Sequence, residues 1–122
     1  MPRSPDDRRA ELGRLAETRV AEHLTAQRFA IVARNVRVGR LEIDIIARRG
    51  ALLVFCEVRA RAHDRFVAPA ATIDARKIAR LRKAAALWLR SNSPGGVDVR
   101  FDAAAVVFDT TEGRIEYYEG AY

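Results

Sequence analysis

The chain has 122 residues, 49% hydrophobic and 31% charged, with a formal net charge of +6. This length supports one domain with a modest core, and the composition excludes a disordered polymer. No apolar run approaches the roughly 20 residues of a membrane helix, and the single cysteine, Cys56, excludes an intrachain disulfide framework.

The opening MPRSPDDRRAELG has charges where a signal peptide needs an apolar segment. Together with the lone thiol, this points to a reducing cytoplasm. Residues 1–9 read as a frayed or disordered end and 10–122 as a single domain. Leu12, Leu15, Ala16, Val20 and Leu24 form an apolar stripe that predicts a helix from about Asp7 to Gln27. Gly13 interrupts that helix, and close approach of another backbone is one reason to tolerate it. Phe29 to Val32 and Val36 to Val38 read as extended segments broken around Asn35, with a turn at Gly39-Arg40.

Residues 41–61, LEIDIIARRGALLVFCEVRAR, read as a hairpin turning near Arg49-Gly50. Side chains alternate across a strand, so Glu42, Asp44 and Ile46 are expected on one face, and Phe55, Glu57 and Arg59 likewise. The turn then sets Asp44 opposite or diagonal to Glu57, while Cys56 points to the other face as a buried thiol. Ala62 to Ala71 reads as a loop. A second helix is expected from an N-cap at Thr72 or Asp74 to about Arg90, burying Ile78, Leu81, Ala85 and Trp88. The breakers Ser91 to Gly96 end it. Val97, Val99 and Phe101 alternate with Asp98, Arg100 and Asp102 at the start of a strand running to Phe108, and Ile115 to Tyr118 form a last one. The order α-β-β-β-α-β-β predicts an α/β fold, a mixed β-sheet flanked by helices.

Charge is uneven. Residues 34–90 hold fourteen basic and five acidic side chains, against two and six in 93–122. A basic surface draws polyanions, nucleic acid first among them, although arginines also simply solvate exposed faces. The two converging carboxylates inside this basic section suit magnesium, or manganese, which takes one or two protein carboxylates and completes its shell with water and phosphate. Asp44 and Glu57 are therefore the candidate metal ligands. Arg59, on the face of Glu57, would lie against the phosphate or the attacking water. The competing reading pairs Glu42, Asp44 and Glu57 with nearby arginines on a solvated sheet. His23 and His63, with no second thiol, argue against structural zinc.

Glu42-Ile43-Asp44, the thirteen-residue step to Glu57, and Glu57-Val58-Arg59 resemble the signature of the restriction-endonuclease-like (PD-(D/E)XK nuclease) superfamily. More narrowly, several motifs resemble the YraN family of small bacterial proteins in order and spacing. They are Leu12-Gly13 with Ala16-Glu17, Arg34-Asn35, Phe55-Cys56-Glu57-Val58-Arg59, Arg76-Lys77, Arg100-Phe101-Asp102 and Gly120-Ala121-Tyr122. The resemblance implies a restriction-endonuclease-like core with Glu17, Asp44, Glu57 and Arg59 in a nuclease site. It implies a Mg²⁺- or Mn²⁺-dependent endonuclease on DNA, in branched or otherwise structured form. The chain departs from the signature at Arg59, where lysine is expected, and arginine effectively cannot shed a proton. Lys77 reaching the site from the second helix would compensate. Ala16 and Leu41 stand where glycines are expected. Arg61, Arg76, Lys77 and Arg80 are the expected nucleic-acid contacts. The alternatives are a catalytically inactive DNA/RNA-binding module on the same scaffold, or a protein-interaction domain whose basic helix meets an acidic partner. No membrane partner is expected, and cutting both strands symmetrically would call for a homodimer.

Overall fold

The computed structural model describes residues 4–62, 75–92 and 94–122. The elements run α1 (Pro5–Ala26), β1 (Ala30–Val38), β2 (Leu41–Arg49), β3 (Leu52–Arg61), α2 (Ala75–Asn92), β4 (Asp98–Val107) and β5 (Arg114–Tyr118). This is the α/β order expected. The five strands lie in sequence order, with β3 and β4 parallel and every other neighbouring pair antiparallel. A parallel pair needs a long crossover, and α2 lies on it.

Helix α1 begins at Pro5, earlier than the apolar period suggests, because capping chemistry extends it. Ser4 accepts the Asp7 N–H at 3.1 Å, proline occupies the first turn, and Asp6 and Asp7 complement the positive end of the dipole. Its buried residues are Ala16, Val20, Ala21 and Leu24, while Leu15 is 46% exposed. The stripe is thus rotated by about one position from the expected one. Gly13 faces open space, so no neighbour requires it.

The β1–β2 and β2–β3 hairpins turn on two residues each, with Gly39 and Gly50 supplying positive φ. β1 is continuous where a break was expected. Asn35 stays inside it at a φ of +50°, a conformation asparagine tolerates better than most residues, and the register slips between Ile31 and Ala33. The expected N-caps of α2, Thr72 and Asp74, and most of the expected loop from Ala62 to Ala71 lie outside the described residues.

Two cores flank the sheet. Ala16, Val20 and Leu24 of α1 pack on Ile45, Val54, Cys56, Ala104 and Val106. On the other face Leu81, Ala84 and Ala85 of α2 pack on Ile43, Ile46, Leu53 and Phe55, with Trp88 edge-on to Phe55. The alternation expected at the start of β4 is broken. Val99 is 38% exposed, whereas Asp102 is fully buried. β4 is an interior strand covered on both faces, and Asp102 is tolerated there because four donors surround it. Arg100 grips it bidentately at 2.8 and 2.9 Å, the Tyr117 hydroxyl donates to it, and the Gly120 N–H donates at 2.9 Å.

Gly113 is the glycine that packing demands. Its φ is +82°, and an added Cβ would lie 2.7 Å from Val106 Cγ1 and 2.8 Å from Phe108 Cε1. Gly113→Ala should therefore destabilise the domain by roughly 2–4 kcal/mol, combining the left-handed backbone with overpacking. Urea titration of the two proteins measures it. No helix among the described residues is long and apolar enough to cross a membrane.

Candidate active site

The site forms where β2 and β3 part. Their pairing ends at Ile45 and Cys56, and the next rung would join Asp44 to Glu57. Instead Asp44 Oδ2 accepts the Val58 N–H at 2.8 Å, so a side chain takes the place of a backbone ladder bond. Side-chain alternation slips at the same point. Ile43 belongs to the α2-side core and Ile45 to the α1-side core, although residues two apart in a regular strand share a face. The expected common face of Glu42, Asp44 and Ile46 does not survive this slip, because Leu41 and Ile43 lie on the α2 side together with Ile46, an odd number of residues away. The slip opens a cavity of about 280 Å³ lined by Arg40, Leu41, Glu42, Asp44, Glu57, Lys77, Arg80 and Leu81.

Glu57 carries two cations on one oxygen. Lys77 Nζ, from the first turn of α2, lies 3.3 Å from Oε1, and Arg59 Nη2 lies 3.9 Å from the same atom. Asp44 and Glu57 hydrogen-bond to each other. Burial, and secondly the charge of Glu57, push the Asp44 carboxyl from its ordinary 3.8 up to about 7. Burial raises Glu57 as well, opposed by Arg59 and by the bond to Asp44. Two half-buried carboxylates in contact hold a proton between them more readily than two charges.

Glu17 stands apart from this cavity, on α1. Arg34 Nε lies 3.8 Å from its Oε1, Arg34 also donates to Thr18, and the Asn35 side chain bonds to it. The unusual backbone of Asn35 thus turns an amide toward the helix. Burial raises Glu17 despite Arg34 and Asn35, and its charge acts on Asp44. Among the described residues, no three His, Cys, Asp or Glu side chains come together as a ready metal-ligand group. A pair of carboxylates remains, which is the number magnesium commonly takes from a protein.

Of the cations expected on nucleic acid, Lys77 and Arg80 line the cavity. Arg76 is exposed in the same turn of α2, and Arg61 lies at the end of β3, paired with Val107 and outside the lining. Arg40 and Tyr122 were not anticipated. Arg40 follows the turn glycine directly into β2, a position that sequence could have flagged. The ring of Tyr122 packs against the α2-side core.

Some buried side-chain atoms among the described residues have no hydrogen-bond partner. They include Glu17 Oε1, Arg59 Nε and the Tyr122 hydroxyl. Such atoms cost about 1–3 kcal/mol each, and structures retain few of them.

The model of the Uncharacterised protein family UPF0102 matches residues 16–106. The chain belongs to this family. Among its relatives, UPF0102 protein sce2912 of Sorangium cellulosum is 47% identical over 120 residues, covering 95% of this chain and 83% of that protein. A UPF0102 protein of Acidothermus cellulolyticus is 39% identical, covering 93% and 95%, and one of Moorella thermoacetica is 38% identical, covering 93% and 97%. The UPF0102 match takes in Glu17, Asp44, Glu57, Arg59 and Lys77, while Tyr122 lies beyond it.

Proposed function

We propose that the protein is a nucleic-acid-binding, divalent-metal-dependent endonuclease of restriction-endonuclease-like type, acting on phosphodiester bonds in structured DNA in the cytoplasm. The observation that carries this reading is the Asp44–Glu57 pair, held where two strands part and met by Lys77 at 3.3 Å. Asp44 and Glu57 would hold Mg²⁺ or Mn²⁺. Bound there, the ion would polarise the phosphate and lower the pKa of a water. Arg40 and Arg80 on the rim suit the flanking phosphates, and Glu17 would act on Asp44 through the field between them. Cutting both strands would take two copies of the chain.

Lys77 supplies what Arg59 cannot. An ammonium can give up a proton or orient a water, whereas a guanidinium remains a fixed charge. Lys77→Met should lower kcat about hundredfold or more, the usual contribution of a positioned acid or base, while Arg59→Lys should leave cleavage intact. The deciding experiment is a Mg²⁺ and Mn²⁺ panel on duplex, single-stranded and branched DNA and on RNA. Binding that weakens steeply with salt and cleavage that requires metal would support the proposal. Binding without cleavage in any metal would favour the inactive binding module, a reading that Arg59 in the lysine position supports. Absence of both would remove both.

A further inference from the structure

Tyr122 comes to the α2 side of the sheet by an indirect route. β5 ends at Tyr118, and the following turn is pinned where the Gly120 N–H donates to buried Asp102 at 2.9 Å. Tyr117, also bonded to Asp102, packs with the α1-side core, whereas Tyr122 packs with the α2-side core. Asp102 is therefore the peg around which the chain turns to the other side of the sheet. Phe55 belongs to that α2-side core, and Glu57 is two residues further along the same strand face. The Tyr122 hydroxyl oxygen is buried with no hydrogen-bond partner.

We infer that Tyr122 is a positioning residue, whose hydroxyl donates to the Glu57 carboxylate when the pair takes a metal. This inference rests on Asp44 and Glu57 being the ligands. Asp44 is the hydrogen-bond partner of Glu57, and both nearby cations meet Oε1. If Asp44 and Glu57 held a divalent ion, Glu57 would need a donor in place of Asp44, and ligating carboxylates are ordinarily held by such a further donor. The phenol is suited to that task. Burial raises its pKa, with Glu57 the largest charge contributing, so it keeps its proton. Its hydroxyl is too enclosed to reach substrate directly, which separates this role from that of Lys77.

The test is Tyr122→Phe, which removes one oxygen and keeps the ring, beside Tyr118→Phe at an exposed position on β5. Mn²⁺ affinity is measured by calorimetry, together with metal-free Tm and, for DNA, kcat and KM. The expected result for Tyr122→Phe is Mn²⁺ affinity reduced about 10- to 100-fold. Metal-free Tm should be unchanged or higher, kcat lower and KM for DNA unchanged, and Tyr118→Phe should match wild type. A fall in metal-free Tm with Mn²⁺ affinity intact would make Tyr122 a packing residue and overturn the inference. So would equal Mn²⁺ affinity in Tyr122→Phe and wild type, with the proposed ligands still standing. If wild type binds no Mn²⁺, the ligand assignment fails and the inference falls with it.

Discussion

Asp44→Asn is expected to abolish metal-dependent cleavage, retain nucleic-acid binding, and make the metal-free protein more stable at alkaline pH. Loss of an outer partner of a metal site already costs about 10- to 100-fold, and Asp44 would touch the metal, so the loss here should be larger. Asparagine keeps the shape and can still accept from Val58 N–H, so the local backbone should hold. The stability gain follows from linkage. Asp44 titrates near 3.8 when unfolded and at about 7 when folded, so between these values the folded state binds more protons. Wild-type stability should therefore fall as pH rises through that window, by an amount on the order of 2–4 kcal/mol. Asp44→Asn should flatten the slope, leaving only the smaller contribution of Glu57, which has the same sign. Thermal melts from pH 5 to 8.5 measure it. Divalent metal should restore the lost stability of wild type at the alkaline end, where protons no longer compete for the carboxylates. A wild-type Tm that rises over this window would contradict the assignment, as would nicking by Asp44→Asn at the wild-type rate.

The second large effect concerns stability. Asp102→Ala should destabilise the fold by about 3–5 kcal/mol, because a charge partner is removed while its partners stay behind. Arg100, Tyr117 and the Gly120 N–H would all lose their acceptor at once. For a domain of this size that is a fall in Tm of roughly 10–20 °C. It is also a large share of the roughly 5–15 kcal/mol a typical domain possesses. Replacing Asp102, Arg100 and Tyr117 together by Leu, Met and Phe should recover much of the loss, since apolar packing often matches a buried ion pair. Calorimetry on both variants separates the cost of an orphaned charge from the value of the network. An unchanged Tm in Asp102→Ala would mean that water already satisfies these groups.

The parts of the fold governed by local chemistry were legible in the sequence. Glycine turns and alternating strands placed Asp44 against Glu57 within one rung, and breaker residues ended α2 where it ends. The misses came from long-range packing. Alternation suggested an exposed Asp102, but β4 lies inside the sheet, and the donors that satisfy its carboxylate come from residues up to eighteen positions away. Leu15 read as core and is exposed, because the angle at which α1 crosses the sheet, which local periodicity does not encode, favours Ala21. Asn35 read as a break because asparagine favours turns, whereas the strand carries it at positive φ with the same register on both sides. Arg59 was placed beside Glu57 as expected. That Lys77 comes nearer still depends on how α2 docks, and only tertiary structure fixes that. Tyr122 was legible as the end of the Gly120-Ala121-Tyr122 motif, but its packing on the α2 side depends on the turn held at Asp102.

The parallel joining of β3 to β4 has a consequence for synthesis. Glu57 is translated long before its neighbour Ala103, and Lys77 lies on the stretch between them. Bringing such distant partners together is slow compared with hairpin closure. A nascent chain would thus present its two acidic groups on a finished hairpin while the ammonium beside them had yet to dock. Under the proposed activity, the polypeptide could not cut nucleic acid near the ribosome until its last strands had zipped into place.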